Sequence, residues 1–304
     1  MISQRRPWAA ALLSLPIPGL GHLYAGSARS AIWFGILTAP IARSLFLVAA
    51  LAAPSPALFL LIASATLAST WVGVPVHAAR RARGAGSAYE LGPVNRWYVY
   101  LAFIGGVAVW QGAVFDVSRT YVAEAFRMPS TSGEPTLLVG DFFYILKFPR
   151  APRELTDELV VFQSPEQGGL RVVKRAVGLP GDTLSMRDGL LYRNGHQVAE
   201  PYAQRYAVTR PLEDRYVSQM QAWQARHLIH LDAARYFPTT RDWGPLVVSP
   251  DSFFAIGDNR EASYDSRFLG FIPLANISGQ PRIIYFSYES GVGVRWKRLG
   301  HRIR

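Results

Sequence analysis

Between Arg29 and Arg80 the chain is almost continuously apolar, broken by Arg43 and by the turn-like Ala53-Pro54-Ser55-Pro56. A run of that length holds two helices of about 20 residues folded back at the prolines, each long enough to cross a bilayer. They are predicted at 31–53 and 57–79. A third apolar run, Trp97 to Val117, opens with Trp97, Tyr98 and Tyr100. Aromatic residues favour the membrane interface, so a third span is predicted at 97–117. Arg43, unpaired in the middle of the first span, would cost roughly 2.5–3.5 kcal/mol, so a facing helix or partner is expected beside it. Residues 8–24 are also apolar, but Pro16 and Pro18 interrupt them. They read as an interfacial or re-entrant part of a cytoplasmic N-terminal segment over 1–30, and the prolines together with the later spans disfavour a cleavable signal peptide.

After about Met128 the pattern changes to short runs of aliphatic, β-branched and aromatic residues separated by Gly, Pro and charge, the mark of strands. They are predicted at Leu137–Val139, Phe142–Leu146, Leu159–Phe162, Val172–Val177, Leu246–Val248, Phe253–Ile256 and Ile283–Tyr288. Thr183–Tyr192 contains an Asp188-Gly189 turn, and Asn194-Gly195 is a second hairpin signal. Residues 212–236 read as a helical or irregular insertion. The expected architecture is an N-terminal α-helical transmembrane region, 31–118, followed by a mainly antiparallel β domain over 119–290. A basic tail, 291–304, is expected to be solvated or frayed, with anionic lipid headgroups as a lesser partner.

Composition agrees with a divided chain. Half of the 304 residues are hydrophobic and only 17% are charged, below the roughly 25% of soluble domains. The net charge of +11 invites a nucleic-acid reading until it is located along the chain. Residues 1–96 hold eight arginines and one acid, Glu90, and so carry +7; the other 208 residues carry only +4. Arg80, Arg81, Arg83 and Arg96 precede the third span, which by the positive-inside rule puts that loop in the cytoplasm and everything after about residue 118 outside. Arg5, Arg6 and Arg29 then also fall inside. The basic excess thus marks membrane orientation, and no nucleic-acid partner is expected. The absence of cysteine excludes disulfides, thiolate metal sites and a cysteine nucleophile.

Three stretches of the outer domain could carry chemistry. Met128-Pro129-Ser130-Thr131-Ser132-Gly133-Glu134-Pro135-Thr136-Leu137 is a proline-constrained loop whose Ser132-Gly133 step admits a substrate backbone, although such a loop alone is more often a solvated connection. In the strand around Lys174, alternation groups the lysine with Val172 and Ala176. Desolvation among apolar groups could lower a lysine toward neutrality near pH 7, though an isolated strand lysine more often reaches water. Gly257 through Gly270 is dense in Asx, Ser and Arg, and reads by itself as a polar turn held by an Asp–Arg pair. Without His or Cys, and with Arg260 and Arg267 present, it is a poor metal loop. His227 and His230 are spaced i, i+3 without a clear acidic partner, and no metal site is assigned to them.

In this order the stretches resemble bacterial type I signal peptidases, membrane-bound serine proteases with a Ser/Lys dyad. The family's Pro-Ser-x-Ser-Met-x-Pro-Thr stands here as Pro129 to Thr136, its Lys-Arg-Ala/Val-x-Gly-x-Pro-Gly-Asp as Lys174 to Asp182, and its Gly-Asp-Asn-x-x-x-Ser-x-Asp-Ser-Arg as Gly257 to Arg267. The resemblance implies Ser132 as nucleophile, neutral Lys174 as general base, and an oxyanion hole from the Ser132 N–H and the Ser130 hydroxyl. It further implies that Ser263 orients the lysine, that Asp258, Asp265 and Arg267 are structural, and that no metal or organic cofactor is required. Partners would be exported preproteins carrying signal peptides, met at the lipid surface of the cytoplasmic (inner) membrane by a multi-pass protein with an extracytoplasmic catalytic domain. Phe126, Met128, Phe142, Phe143 and Phe148 could contact lipid or substrate, or simply pack. The sequence departs from the pattern at Gly133, where the family has methionine. A specialised pilin- or conjugation-associated peptidase and a catalytically silent membrane-anchored scaffold are the alternatives.

Overall fold

The computed structural model describes residues 2–52, 55–86, 89–147, 155–166, 168–204, 214–229 and 235–303. Two compact units emerge, Met1–Ala123 and Glu124–Arg304. Ala53, Pro54, Phe148 and His230 lie outside the described residues.

In the first unit a two-residue strand pair, β1 (Ile2–Ser3) and β2 (Tyr89–Glu90), ties the chain start to the loop before the last helix. Helix α1 (Pro7–Ser14) begins with proline in its first turn, where the missing N–H costs nothing. α2 (Leu20–Tyr24) follows the left-handed Gly19, with φ 96°. The two helices meet closely, since a Cβ on Gly21 would lie 1.9 Å from the Ala10 carbonyl oxygen. The long elements are α3 (Ala28–Ala52), then α4 (Pro56–Ala68) continuing through a π-helical turn at Ser69–Gly73 into α5 (Val74–Gly84), and α6 (Trp97–Tyr121). Among the described residues, Ala28–Ala49, Pro56–Gly84 and Trp97–Tyr121 are long and apolar enough to cross a membrane. Leu61, Leu101, Val109 and Val117 are among many large apolar side chains left uncovered, as helices immersed in lipid would leave them. The Arg43 guanidinium sits over the Phe115 ring, 4.7 Å from its centroid.

In the second unit, alternation and β-branching build a curled antiparallel sheet. Its strands are β3 (Ala123–Arg127), β4 (Asp141–Leu146), β5 (Leu159–Gln163), β6 (Arg171–Gly178), β11 (Ser252–Ile256), β12 (Ile272–Pro273) and β13 (Ile277–Glu289), in the order β12-β11-β6-β5-β13-β4-β3. The long β13 changes partner along its length, pairing β5 at Ile277–Gly279 and β4 from Gln280 to Ser287, with register shifts that bend the sheet. β7 (Thr183–Arg187), β8 (Leu190–Arg193), β9 (His196–Gln197) and β10 (Trp243–Val247) form a smaller sheet. The Asp188-Gly189 and Asn194-Gly195 pairs make its turns, all four residues having positive φ. The insertion holds α7 (Asp214–Gln224), whose Met220 packs with Leu184, Leu246 and Phe254.

Two expectations change. Leu137–Val139 is a turn rather than a strand. The Leu137 N–H bonds the Gly133 carbonyl at 2.8 Å and the Leu138 N–H bonds Asp141 Oδ2 at 2.8 Å, so local partners take the groups a ladder would need. The tail is folded rather than frayed: Gly293–Val294 and His301–Arg302 both pair with β13. Ile303 is buried beside Phe143 and Ile145, and Arg298 Nε reaches Asp141 Oδ1 at 3.0 Å.

Candidate active site

The strand β3 ends at Arg127, and Met128 exchanges backbone bonds with Gly140 and Asp141. Extended Ser130 then leads into a single 3-10 turn, Thr131–Gly133. That turn buries Ser132 and sets its Oγ 3.2 Å from the Ser130 Oγ. A Cβ on Gly133 would lie 2.9 Å from Met128 Cε and 3.2 Å from Leu137 Cβ, so Met128 already fills the space beside the turn.

The β6 register sets Lys174 opposite Val160. Val160 packs with Val172 and Ala176 in one apolar cluster, the grouping that alternation predicts. Only 5% of the Lys174 surface is exposed. Burial pushes its ammonium down from the ordinary 10.5 to about 8; Asp265 and Asp258 resist the shift, and Arg267 reinforces it.

Strand β11 delivers the third stretch, and its first residues stitch the other two together. The Asn259 N–H donates to the Ser132 carbonyl at 3.2 Å, and its side-chain amide donates to the Thr131 carbonyl at 3.2 Å. Asp258, wholly buried, takes Arg175 Nε at 2.8 Å and Nη2 at 2.7 Å, and the Thr136 hydroxyl donates to it at 2.6 Å. One carboxylate therefore links the serine loop, the lysine strand and the polar loop. Gly257 marks the tightest approach: an added Cβ would lie 2.2 Å from Ser263 Oγ and 2.7 Å from the Ser132 carbonyl oxygen.

Asp265 caps the short α8 (Ser266–Leu269). It accepts the Gly257 N–H at 3.0 Å and pairs with Arg267 through Nε at 2.9 Å and Nη2 at 3.0 Å, both residues fully buried. Burial alone would raise the Asp265 carboxyl, but Arg267, Lys174 and the Gly257 N–H hold it below the usual range. Arg267 Nη2 also donates to the Arg260 carbonyl at 2.7 Å, closing the loop on itself. Ser263 Oγ is buried and, among the described residues, has no hydrogen-bond partner. No hydrogen bond joins Ser132 to Lys174 among the described residues; catalytic contacts are commonly long before substrate arrives.

The structure thus brings Ser130, Ser132, Lys174, Ser263, Asp258, Asp265 and Arg267 to one region. Asn259 and Thr136 lay within the motifs without an assigned role; their side-chain amide and hydroxyl were the available signals. Tyr202, whose ring faces the Arg175 guanidinium at 3.7 Å, and the buried pair of Glu200 with Arg260 had no sequence signal. Among the described residues no group of three or more His, Cys, Asp or Glu could hold a metal. His227 Nδ1 lies instead 2.9 Å from the Trp223 carbonyl.

A family model described as signal peptidase, peptidase S26, matches residues 97–286. The chain is 32% identical over 197 residues to a signal peptidase I of Pseudomonas aeruginosa, covering 57% of this chain and 68% of that one. It is 31% identical over 172 residues to a signal peptidase I of Bacillus licheniformis, covering 56% and 81% respectively. A solved signal peptidase I from Enterococcus faecalis is similar at 30% identity, covering 44% of this chain and 97% of that one, with a TM-score of 0.28.

Proposed function

The chain belongs to the signal peptidase family, and on that footing we propose that it is a membrane-associated serine endopeptidase that removes signal peptides from exported preproteins. The observation that carries the reading is Lys174, buried beside apolar neighbours and lowered to about 8, so that a usable fraction is neutral near physiological pH. A serine hydroxyl needs such a base to become a nucleophile.

In this mechanism Ser132 Oγ attacks the scissile carbonyl carbon as Lys174 Nζ takes its proton. The Ser132 N–H and the Ser130 hydroxyl stabilise the resulting oxyanion. Collapse breaks the peptide bond, and the Lys174 ammonium returns the proton to the leaving amine. Water, deprotonated by the same lysine, then attacks the acyl ester and releases Ser132. Ser263 orients the lysine, while Asp258, Asp265 and Arg267 hold the loop that carries Ser263.

We further propose that residues 31–118 make a multi-pass anchor in the cytoplasmic membrane and that residues 119–290 work on its outer side. The +7 carried by residues 1–96 supports that orientation. Anchoring confines enzyme and substrate to one lipid surface, which raises their encounter frequency.

The test uses purified full chain in detergent with a preprotein. Cleavage is expected to vanish in Ser132→Ala and in Lys174→Met separately; undiminished cleavage by either variant would refute the dyad. Binding without turnover by the unmodified chain would favour a scaffold. A periplasm-active reporter fused after Thr120 is expected to be active, and silence there would reverse the topology.

A further inference from the structure

The first unit contains a buried cation that no part of the proposed peptidase mechanism uses. Arg5 is 7% exposed. Its guanidinium is held between two rings, 4.5 Å from the Tyr24 centroid and 4.7 Å from that of Tyr89. Cation–π contact occupies the faces of the guanidinium and leaves the N–H edge unsatisfied. Among the described residues, Nε and Nη2 of Arg5 have no hydrogen-bond partner although both are buried. Arginine cannot escape this cost by losing its proton, and a buried cation without a counter-charge is strongly unfavourable.

The frame around it is fixed. The Arg6 N–H donates to the Tyr24 hydroxyl at 3.2 Å, the Tyr89 hydroxyl donates to Asn95 Oδ1 at 3.0 Å, and Asn95 Nδ2 donates to the Leu23 carbonyl at 3.2 Å. Gly26 lets the Tyr89 ring lie against the backbone, since a Cβ there would meet the Tyr89 hydroxyl at 2.0 Å. Glu90, the one acid in residues 1–96, is exposed, and no ion pair joins it to Arg5 among the described residues. Directly after Arg5 and Arg6, α1 begins with no acidic residue in its first turn and no side-chain cap. A guanidinium fork whose Nε and Nη2 are buried without partners among the described residues suits a tetrahedral anion with several acceptor oxygens. The same unit holds three helices apolar enough to cross a membrane, where the abundant anion is a lipid phosphate.

We propose that Arg5, clamped by Tyr24 and Tyr89, forms a phosphate-binding site, filled by the headgroup phosphate of an anionic lipid or by free phosphate. Lipid retention is measured on the full chain in detergent by native mass spectrometry after exchange into phosphatidylglycerol, with a phosphate-free diacylglycerol glycolipid as control. A parallel thermal melt in inorganic phosphate reads the soluble source. One phosphatidylglycerol per chain is expected to be retained over the glycolipid, with Arg5→Lys and Arg5→Gln reducing retention at least tenfold and Arg29→Gln leaving it unchanged. Arg5→Lys keeps the charge but loses the planar fork, so it decides the matter even where Arg5→Gln does not fold. An Arg5-dependent rise in melting temperature with inorganic phosphate, without lipid retention, assigns the site to the free ion. Equal retention and equal phosphate response in the unmodified chain and Arg5→Lys would overturn the proposal.

Discussion

Arg175 follows Lys174 in the same strand, yet it turns to the opposite purpose: its Nε and Nη2 grip both carboxylate oxygens of Asp258, at 2.8 Å and 2.7 Å. Both side chains are shielded from water, and the Thr136 hydroxyl completes the carboxylate. Removing one partner of such a pair leaves a buried uncompensated charge, at about 3–5 kcal/mol. Asp258→Ala is therefore expected to lower the unfolding free energy of the peptidase domain by that order in a denaturant titration. A variant as stable as the unmodified chain would show that the pair does not hold the three motifs together.

With Lys174 lowered to about 8, the neutral fraction that would accept the Ser132 proton in the proposed dyad grows as pH rises. The kcat/KM for a signal-peptide substrate is expected to increase about tenfold between pH 7 and pH 9 and then level off. Asp265 and Asp258 raise the lysine and Arg267 lowers it, so Asp265→Asn removes the larger of the two opposing carboxylate influences and leaves only Asp258 against burial and Arg267. Its acid limb is expected to move to lower pH. A limb that stays fixed, or moves upward, would disconnect Asp265 from the base.

Much of this site was legible because its signals are local. Alternation around Val172, Lys174 and Ala176 predicted an apolar setting for the lysine, and its 5% exposure follows from that face. The Asp188-Gly189 and Asn194-Gly195 turns were legible for the same reason, because positive φ has few residue types to choose from. What was not legible depends on distant partners. The basic tail gave no strand signal, and its folding depends on Arg298 reaching Asp141 and on β13 offering an edge. Strand β3 was hidden because Ala123–Arg127 follows α6 almost directly, with no breaker residue between them. Tyr202 acquires meaning only through the Arg175 guanidinium it covers.

Gly133 stands where the family pattern has methionine, and Met128 occupies the space beside it, 2% exposed. Gly133→Met would overpack that space at about 1–3 kcal/mol. Pairing it with Met128→Ala is expected to recover much of the loss, because one long side chain replaces the other. The check is a double-mutant cycle on thermal or denaturant unfolding. Additive losses would mean that the two positions do not share the space.

Ser263 offers the cleanest separation of positioning from packing. Its Oγ is buried, lies against Gly257 near the Ser132 carbonyl, and has no hydrogen-bond partner among the described residues. Ser263→Ala therefore removes no bond from the resting fold, and its stability is expected to stay within about 0.5 kcal/mol of the unmodified chain. In the proposed mechanism this hydroxyl fixes the Lys174 amine, and misplacing a catalytic group by an ångström costs about 100-fold. A fall in kcat of that order with little change in KM and an unchanged melting temperature is the expected result. An unchanged kcat accompanied by a large loss of stability would make Ser263 a packing residue.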